Sequence, residues 1–136
     1  MTQEDRELLL KDLCARLPYG VKVNDDIHGD FTLIGLTKER ILTTCEVEGC
    51  HNDFPIENIK PYLFPLSSMT ESQYDFWRGA WFPDLLTTTD VYYPESEKYL
   101  ALSHVKSLNW LYKNHIDIYG LIERGLAIDA TGLYIY

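Results

Sequence analysis

The chain contains 136 residues, of which 46% are hydrophobic and 24% charged, and it carries a formal net charge of −9. A chain of this length fits one domain with one core, because domains commonly contain about 100 to 150 residues. The composition is that of an ordinary globular protein, and there is no internal repeat or low-complexity segment.

The acidic charge is concentrated in two segments. Residues 21–60 carry eight acids and four bases, and residues 71–97 carry six acids with Arg78 as the only base, whereas residues 98–136 carry three acids and four bases. Nucleic-acid binding needs clustered Lys and Arg, so we expect no direct nucleic-acid contact. An acidic surface can instead occupy a phosphate-binding groove of another protein, or simply keep the chain in solution.

The three cysteines, Cys14, Cys45 and Cys50, form an odd set without repeated spacing. This predicts free thiols and a reducing compartment. The first residues are polar and acidic, and no apolar run approaches the roughly 18 residues that a membrane span needs. We therefore expect a cytoplasmic protein without membrane contact.

The first predicted element is a helix from about Gln3 to Leu17. Thr2 can cap its first amides, and its acids and bases are distributed as the helix macrodipole favours. Pro18 is expected to end it, because a proline ring clashes with the preceding turn. One apolar face is expected to pack in the core and consists of Leu9, Leu10, Leu13, Cys14 and Leu17.

Short runs rich in β-branched residues follow and predict an antiparallel meander of three or four strands, covered by the first helix. Pro55 should confine the fourth strand to an edge or a bulge, and the segment from Lys60 to Leu66 is predicted to be a rigid connector. The predicted strands are Val21 to Val23, Phe31 to Leu36, Ile41 to Val47 and Asn52 to Ile56.

The rest of the chain predicts mainly helix. Thr70 and Gln73 have the spacing of a capping box for a helix from Glu71 to about Gly79. An irregular aromatic loop at 81–98 precedes a third helix from about residue 96 to 114. A helical turn at 121–124 and a small hairpin of residues 126–129 and 133–136 then complete the chain.

The fold class is therefore α+β in a single domain. Residues 1–66 form a helix and a β-meander, and residues 67–136 form two helices with a short turn and hairpin.

Few residues are candidates for metal binding or catalysis. Cys45, Cys50 and His51, with His28 upstream, could bind a metal, but Cys-x4-Cys-His lacks the second pair that a zinc site needs. His115 could pair with Asp117 or interact with the last carbonyls of a helix. Known nucleophile and phosphate-loop motifs are missing. We expect neither an enzyme nor a cofactor.

The aromatic loop and its flanks are the predicted binding surface, since Trp and Tyr dominate binding hot spots. The alternative is that these aromatic residues fill the core between the second and third helices. The candidate residues are Trp77, Trp81, Phe82, Asp84, Asp90, Tyr92, Tyr93 and Glu95.

Two segments carry a family resemblance, KPYLFPLSSMT at 60–70 and WLYKNHIDIYGLIERGLAI at 110–128. They resemble segments of small uncharacterised proteins carried by phages, prophages and mobile elements of gut bacteria. The family has no assigned activity, so no catalytic residue carries over, and the resemblance implies a bacterial host cell.

Three functions fit these observations. The first is an accessory protein that binds a protein partner, such as a host defence or nucleic-acid-processing protein, through its acidic surface. The second is a protein that binds or sequesters a nucleotide, with Trp81 or Tyr92 stacked on the base. The third is a virion or assembly protein, for which a homo-oligomer is expected.

Overall fold

The computed structural model describes residues 1–45, 51–73, 105–106 and 108–136. The first element is helix α1, Gln3–Arg16. The predicted cap is confirmed as a reciprocal capping box, in which the Thr2 hydroxyl accepts from the Asp5 amide at 3.1 Å and the Asp5 carboxylate accepts from the Thr2 amide at 3.3 Å. A 3-10 turn that contains Pro18 follows α1, and Gly20 ends it with a left-handed φ of 68°.

The buried face of α1 differs from the predicted one. Leu9 and Leu13 are buried as expected, but Cys14 is exposed, so its assignment to the core is wrong. Two charged residues, Asp12 and Arg16, are fully buried. The buried positions 9, 12, 13 and 16 have ordinary helical spacing. The buried face was predicted incorrectly because two of its residues are charged, and charged residues are expected on the exposed face.

Within the described residues six strands form one sheet in the order β4-β3-β2-β1-β5-β6. Neighbouring strands are antiparallel from β4 through to β5, and β6 is parallel to β5. The α+β class is confirmed in this broad form, and β4 lies at the edge as Pro55 predicted. The strands are β1 (Lys22–Asp25), β2 (Gly29–Leu36), β3 (Arg40–Thr44), β4 (His51–Pro55), β5 (Ile59–Leu63) and β6 (Ile128–Asp129).

Strand β5 occupies the segment that was predicted to be a rigid connector. Pro61 cannot donate a ladder hydrogen bond, which is why the segment did not look like an interior strand. In the structure Pro61 pairs with Val23 of β1, and β6 pairs only with Tyr62 and Leu63. At Pro61 strand β5 therefore has β1 as its one described neighbour.

The predicted hairpin of residues 126–129 and 133–136 is wrong. Ile128 and Asp129 pair with β5, and the Ala130 amide donates to the Leu63 carbonyl at 2.8 Å. Residues 133–136 form no strand. Residues 128–129 thus pair with a strand more than sixty residues earlier in the sequence, and not with residues 133–136 as predicted. The turn at 121–125 is confirmed, and Gly125 has a left-handed φ of 74°.

The sheet has to curl. If it were flat, β4 and β5 would lie about 19 Å apart, at roughly 4.8 Å per strand. They are joined only by the 3-10 turn Ile56–Asn58, which at about 2 Å per residue is too short for that distance. The curled sheet and α1 enclose one core, which also contains Leu121, Leu126 and Ala127 from the end of the chain.

The described helical residues agree with the prediction where they can be compared. Residues 71–73 are helical, and Thr70 and Gln73 form the predicted capping box with bonds of 3.0 and 3.2 Å. Residues 105–106 and 108–113 are helical as well. The end of the predicted second helix, the aromatic loop at 81–98 and the start of the third helix lie outside the described residues. No helix in the described ranges is long and apolar enough to cross a membrane.

Candidate functional site

The binding residues predicted from the sequence lie outside the part of the chain that the structure describes. They are Trp77, Trp81, Phe82, Asp84, Asp90, Tyr92, Tyr93 and Glu95. Their assignment to a binding surface or to the core stays a prediction.

The structure describes only part of the possible metal ligands. Cys45 follows β3 and is half-buried, Cys50 is not described, and only the backbone of His51 is described, at the start of β4. The described residues contain no group of three or more His, Cys, Asp or Glu side chains that could hold a metal ion.

A cavity among the described residues lies beside the turn between β1 and β2. Its volume is about 660 Å³, and we call it the sheet recess. Residues of the turn, of β4 and of the turn after β4 meet here because the curled sheet brings them together. The lining consists of Asp25, Ile27, His28, Phe31, Cys45, Asn52, Asp53, Phe54, Pro55 and Asn58.

Three rings form one wall of the sheet recess. The centroid of Phe54 lies 5.4 Å from that of Phe31 and 5.3 Å from that of His28, and both pairs are tilted. Phe54 is buried, whereas the His28 side chain is 58% exposed. The recess therefore has an apolar inner surface and a polar, accessible ring at its mouth.

Asp25 fixes the position of His28. Its buried carboxylate lies 2.6 Å from His28 Nδ1, and it also accepts the amides of His28 at 2.9 Å and Ile27 at 3.2 Å. Burial alone would raise the pKa of Asp25, but the hydrogen bonds from His28 and Ile27 outweigh it and lower the pKa. The carboxylate is thus charged at neutral pH and holds the imidazole in one orientation.

The polar rim carries a second carboxylate. Asp53 is about half-exposed and forms a salt bridge with Arg40, which is also about half-exposed. Asn58 is exposed, and Ile27 has 83% of its surface in contact with solvent. The described lining residues include two carboxylates and no Lys or Arg, and Arg40 outside the lining neutralises the carboxylate of Asp53.

His28 was named only as a possible metal ligand, and its pairing with Asp25 was not predicted. Asp25 and His28 are three residues apart between two predicted strands, the spacing at which an Asp side chain bonds to the backbone of a turn. That local signal could have been used. The aromatic wall could not be predicted from the sequence, because Phe54 contacts His28 and Phe31 only when the sheet curls.

Of the two alternatives for His115, the pair with Asp117 is not among the described hydrogen bonds or salt bridges. The Asp117 carboxylate accepts the amides of Leu121 and Ile122, each at 3.0 Å, and so caps the turn at 121–125. The His115 ring stacks on Tyr136, with centroids 3.7 Å apart and planes 9° apart. Two backbone amides thus occupy both carboxylate oxygens of Asp117.

No protein-family model, curated protein sequence or solved structure matches this chain. The functional argument therefore depends on the geometry of the described residues.

Proposed function

We propose that this is an accessory protein of a phage or other mobile element that acts by binding a protein partner through the sheet recess. The recess receives a Lys or Arg side chain of that partner. The single observation that carries the proposal is a cavity that combines an aromatic wall with charged carboxylates and has no described Lys or Arg among its lining residues.

The aromatic wall suits the long stem of a basic side chain. Lys and Arg pack their methylene groups on apolar surfaces while the charged head stays near water. A cation close to an aromatic ring also gains a direct electrostatic attraction of about 0.5 to 1 kcal/mol at an accessible site. Phe31 and Phe54 provide such a surface within the recess.

The polar groups suit the charged head. The carboxylate of Asp25 is held in place by three hydrogen bonds, so it does not have to reorganise when a cation arrives. Asp53 is already paired with Arg40, and an incoming guanidinium would share or replace that exposed partner. The Asn58 amide can bond either to the side chain or to the backbone of the partner.

The chemistry of the recess also indicates a class of partner. Proteins that bind nucleic acids carry clustered Lys and Arg on the surface that contacts phosphate. An acidic protein that inserts carboxylates there competes with the nucleic acid by charge complementarity. We propose a host defence or nucleic-acid-processing protein as the partner, in agreement with the excess of acids in residues 21–60.

The test measures binding of an arginine-containing peptide and of the same peptide with glutamine in its place. Backbone amide shifts in ¹⁵N-labelled protein should move at Ile27, His28 and Phe54 with the arginine peptide only. Asn58→Lys adds a cation to the recess without removing a described hydrogen bond, and we expect it to weaken binding at least about tenfold.

Asn109→Lys is the matched control, because it adds the same charge to exposed helical residues outside the recess. It should leave the affinity unchanged, and both variants should unfold at the temperature of the unmodified protein. Equal binding of the two peptides would refute the proposal. So would equal weakening by the two variants, because only net charge would then matter.

A further inference from the structure

A second cavity lies where residues 64–73, which follow β5, meet residues 113–116 and 131–136. Its volume is about 400 Å³, within the roughly 300 to 1,000 Å³ of small-molecule sites, and we call it the His115 cavity. It shares no lining residue with the sheet recess. The lining consists of Phe64, Ser68, Gln73, Lys113, Asn114, His115, Ile116, Thr131, Gly132 and Tyr136.

The charge of this cavity is opposite to that of the protein. The chain carries a net charge of −9, yet the described lining contains Lys113 and neither Asp nor Glu. Two acids close in sequence to the lining, Asp129 and Asp117, bond to backbone amides, and the exposed Glu71 does not line the cavity. Asp129 accepts from Thr131, which lowers its pKa, and Asp117 accepts from Leu121 and Ile122. The cavity therefore favours an anion.

His115 is held rigidly at the wall of the cavity. Its φ of 59° lies in the left-handed region, which costs energy for a residue with a side chain. Its amide donates to the Tyr112 carbonyl and its carbonyl accepts from the Phe64 amide, so its backbone is bonded on both sides. The stack on Tyr136 fixes the ring.

One ring nitrogen of His115 is left without a partner. Nδ1 is buried and forms no hydrogen bond within the described structure. Buried polar atoms in native proteins are nearly always bonded, and exceptions point to a missing partner. Burial and the charge of Arg16 lower the pKa of His115 to about 4, so the ring is neutral at neutral pH and Nδ1 can carry a proton and donate it.

Other donors are available beside it. The Gln73 carbonyl oxygen accepts from the Thr70 amide, and this bond leaves the side-chain NH2 group of Gln73 to donate elsewhere. Lys113 contributes three donors and the only formal positive charge among the described lining residues. Phe64 and Tyr136, whose ring centroids are 6.0 Å apart, form an apolar wall.

We propose that the His115 cavity binds a small molecule that carries a phosphate group. Lys113 and the Gln73 amide bind the phosphate oxygens, and the rest of the molecule packs on Phe64 and Tyr136. This site goes beyond the proposed function and does not depend on it.

The test uses adenosine monophosphate, inorganic phosphate and adenosine as probes in isothermal titration calorimetry with the full chain. We expect the monophosphate to bind and adenosine not to bind. Inorganic phosphate distinguishes between two possible ligands, free phosphate and a phosphorylated molecule. If it binds as tightly as the monophosphate, the natural ligand is free phosphate, and if it binds more weakly, the ligand is a phosphorylated molecule.

Lys113→Gln should weaken binding of the monophosphate at least about tenfold, because a hydrogen bond to a charged group is lost. Lys60→Gln removes the same charge from an exposed position outside the cavity and should have no effect. Asn58→Lys, which alters the sheet recess, should also leave binding unchanged. If none of the three probes binds, if adenosine binds as tightly as its monophosphate, or if the two lysine variants weaken binding equally, the proposal is refuted.

Discussion

His115 makes the stability of the protein depend on pH in a definite direction. Its pKa is about 4 in the folded protein, because of burial and the charge of Arg16, and about 6.5 in an unfolded chain. The unfolded state therefore binds more protons between these values, and the free energy of unfolding falls as the pH drops from 6.5 towards 4. Since the ring is only partly buried, we expect a loss on the order of 1 to 2 kcal/mol.

Urea unfolding at pH 7.5 and pH 5.0 measures this loss. His115→Asn is the suitable comparison, because asparagine tolerates a left-handed backbone and does not titrate. The variant should lose less stability between the two pH values than the unmodified protein, while the other histidines contribute equally to both. An identical loss in the two proteins would contradict the assignment.

Cys14 tests the orientation of α1 at single-residue resolution. It is exposed, whereas its neighbour Leu13 is fully buried. Cys14→Ser should change the free energy of unfolding by less than about 0.5 kcal/mol, and Leu13→Ala should lower it by about 2 to 5 kcal/mol. Mass spectrometry after thiol labelling of the native protein should find the label on Cys14. A large loss in Cys14→Ser would restore the core position that its spacing first indicated.

At the scale of elements, α1 contains a buried ion pair, and its Arg16 links the helix to Ile116. Arg16 Nε and Nη2 donate to the two carboxylate oxygens of Asp12 at 2.7 and 2.9 Å, and Nη2 also donates to the Ile116 carbonyl. The Arg16 guanidinium lies 5.1 Å from the centre of the Tyr112 ring. Arg16 Nη1 is buried without a hydrogen-bond partner in the described structure, so the pair is not fully satisfied.

Removing one member of this pair should cost far more than replacing both. Asp12→Leu leaves a buried guanidinium that cannot lose its proton, and we expect a loss of about 3 to 5 kcal/mol. Arg16→Met should cost less, because burial already raises the pKa of Asp12 and the carboxyl can become neutral. The double variant Asp12→Leu with Arg16→Met should recover much of the loss.

Chemical denaturation of the three variants decides between two roles for the pair. Recovery in the double variant would mean that the pair fixes how α1 docks rather than supplying net stability. If the losses of the single variants simply add in the double variant, the two residues are not coupled.

Elements that depend on neighbouring residues were predicted from the sequence. Elements that depend on contacts between distant residues were not. The capping boxes at Thr2 and Thr70 and the edge strand ending at Pro55 depend on neighbouring residues, and the structure confirms them. Strands β5 and β6 depend on pairing with β1 and with each other across long stretches of sequence. The sheet recess depends on both local and distant contacts. Its Asp25–His28 turn forms between neighbouring residues, whereas its aromatic wall brings together residues that are distant in the sequence.

At the scale of the whole molecule, the last residues bind the first strand to the fifth. The Tyr136 hydroxyl accepts from the Lys22 amide of β1 at 2.9 Å and donates to the Tyr62 carbonyl of β5 at 2.8 Å. One hydroxyl thus joins two neighbouring strands that are separated by more than thirty residues. Burial raises the pKa of this hydroxyl, which therefore stays protonated and able to donate at neutral pH.

Tyr136→Phe removes the hydroxyl and keeps the ring that stacks on His115. It leaves the Lys22 amide and the Tyr62 carbonyl without this partner, so we expect a loss of about 1 to 3 kcal/mol in the free energy of unfolding. Hydrogen exchange should accelerate at the Lys22 amide before it does in α1. Tyr134→Phe is the matched control, because Tyr134 is 96% exposed and should lose nothing measurable. Equal effects of the two substitutions would show that the tie contributes no stability, and the curl of the sheet would then depend on the short turn between β4 and β5 and on the shared core alone.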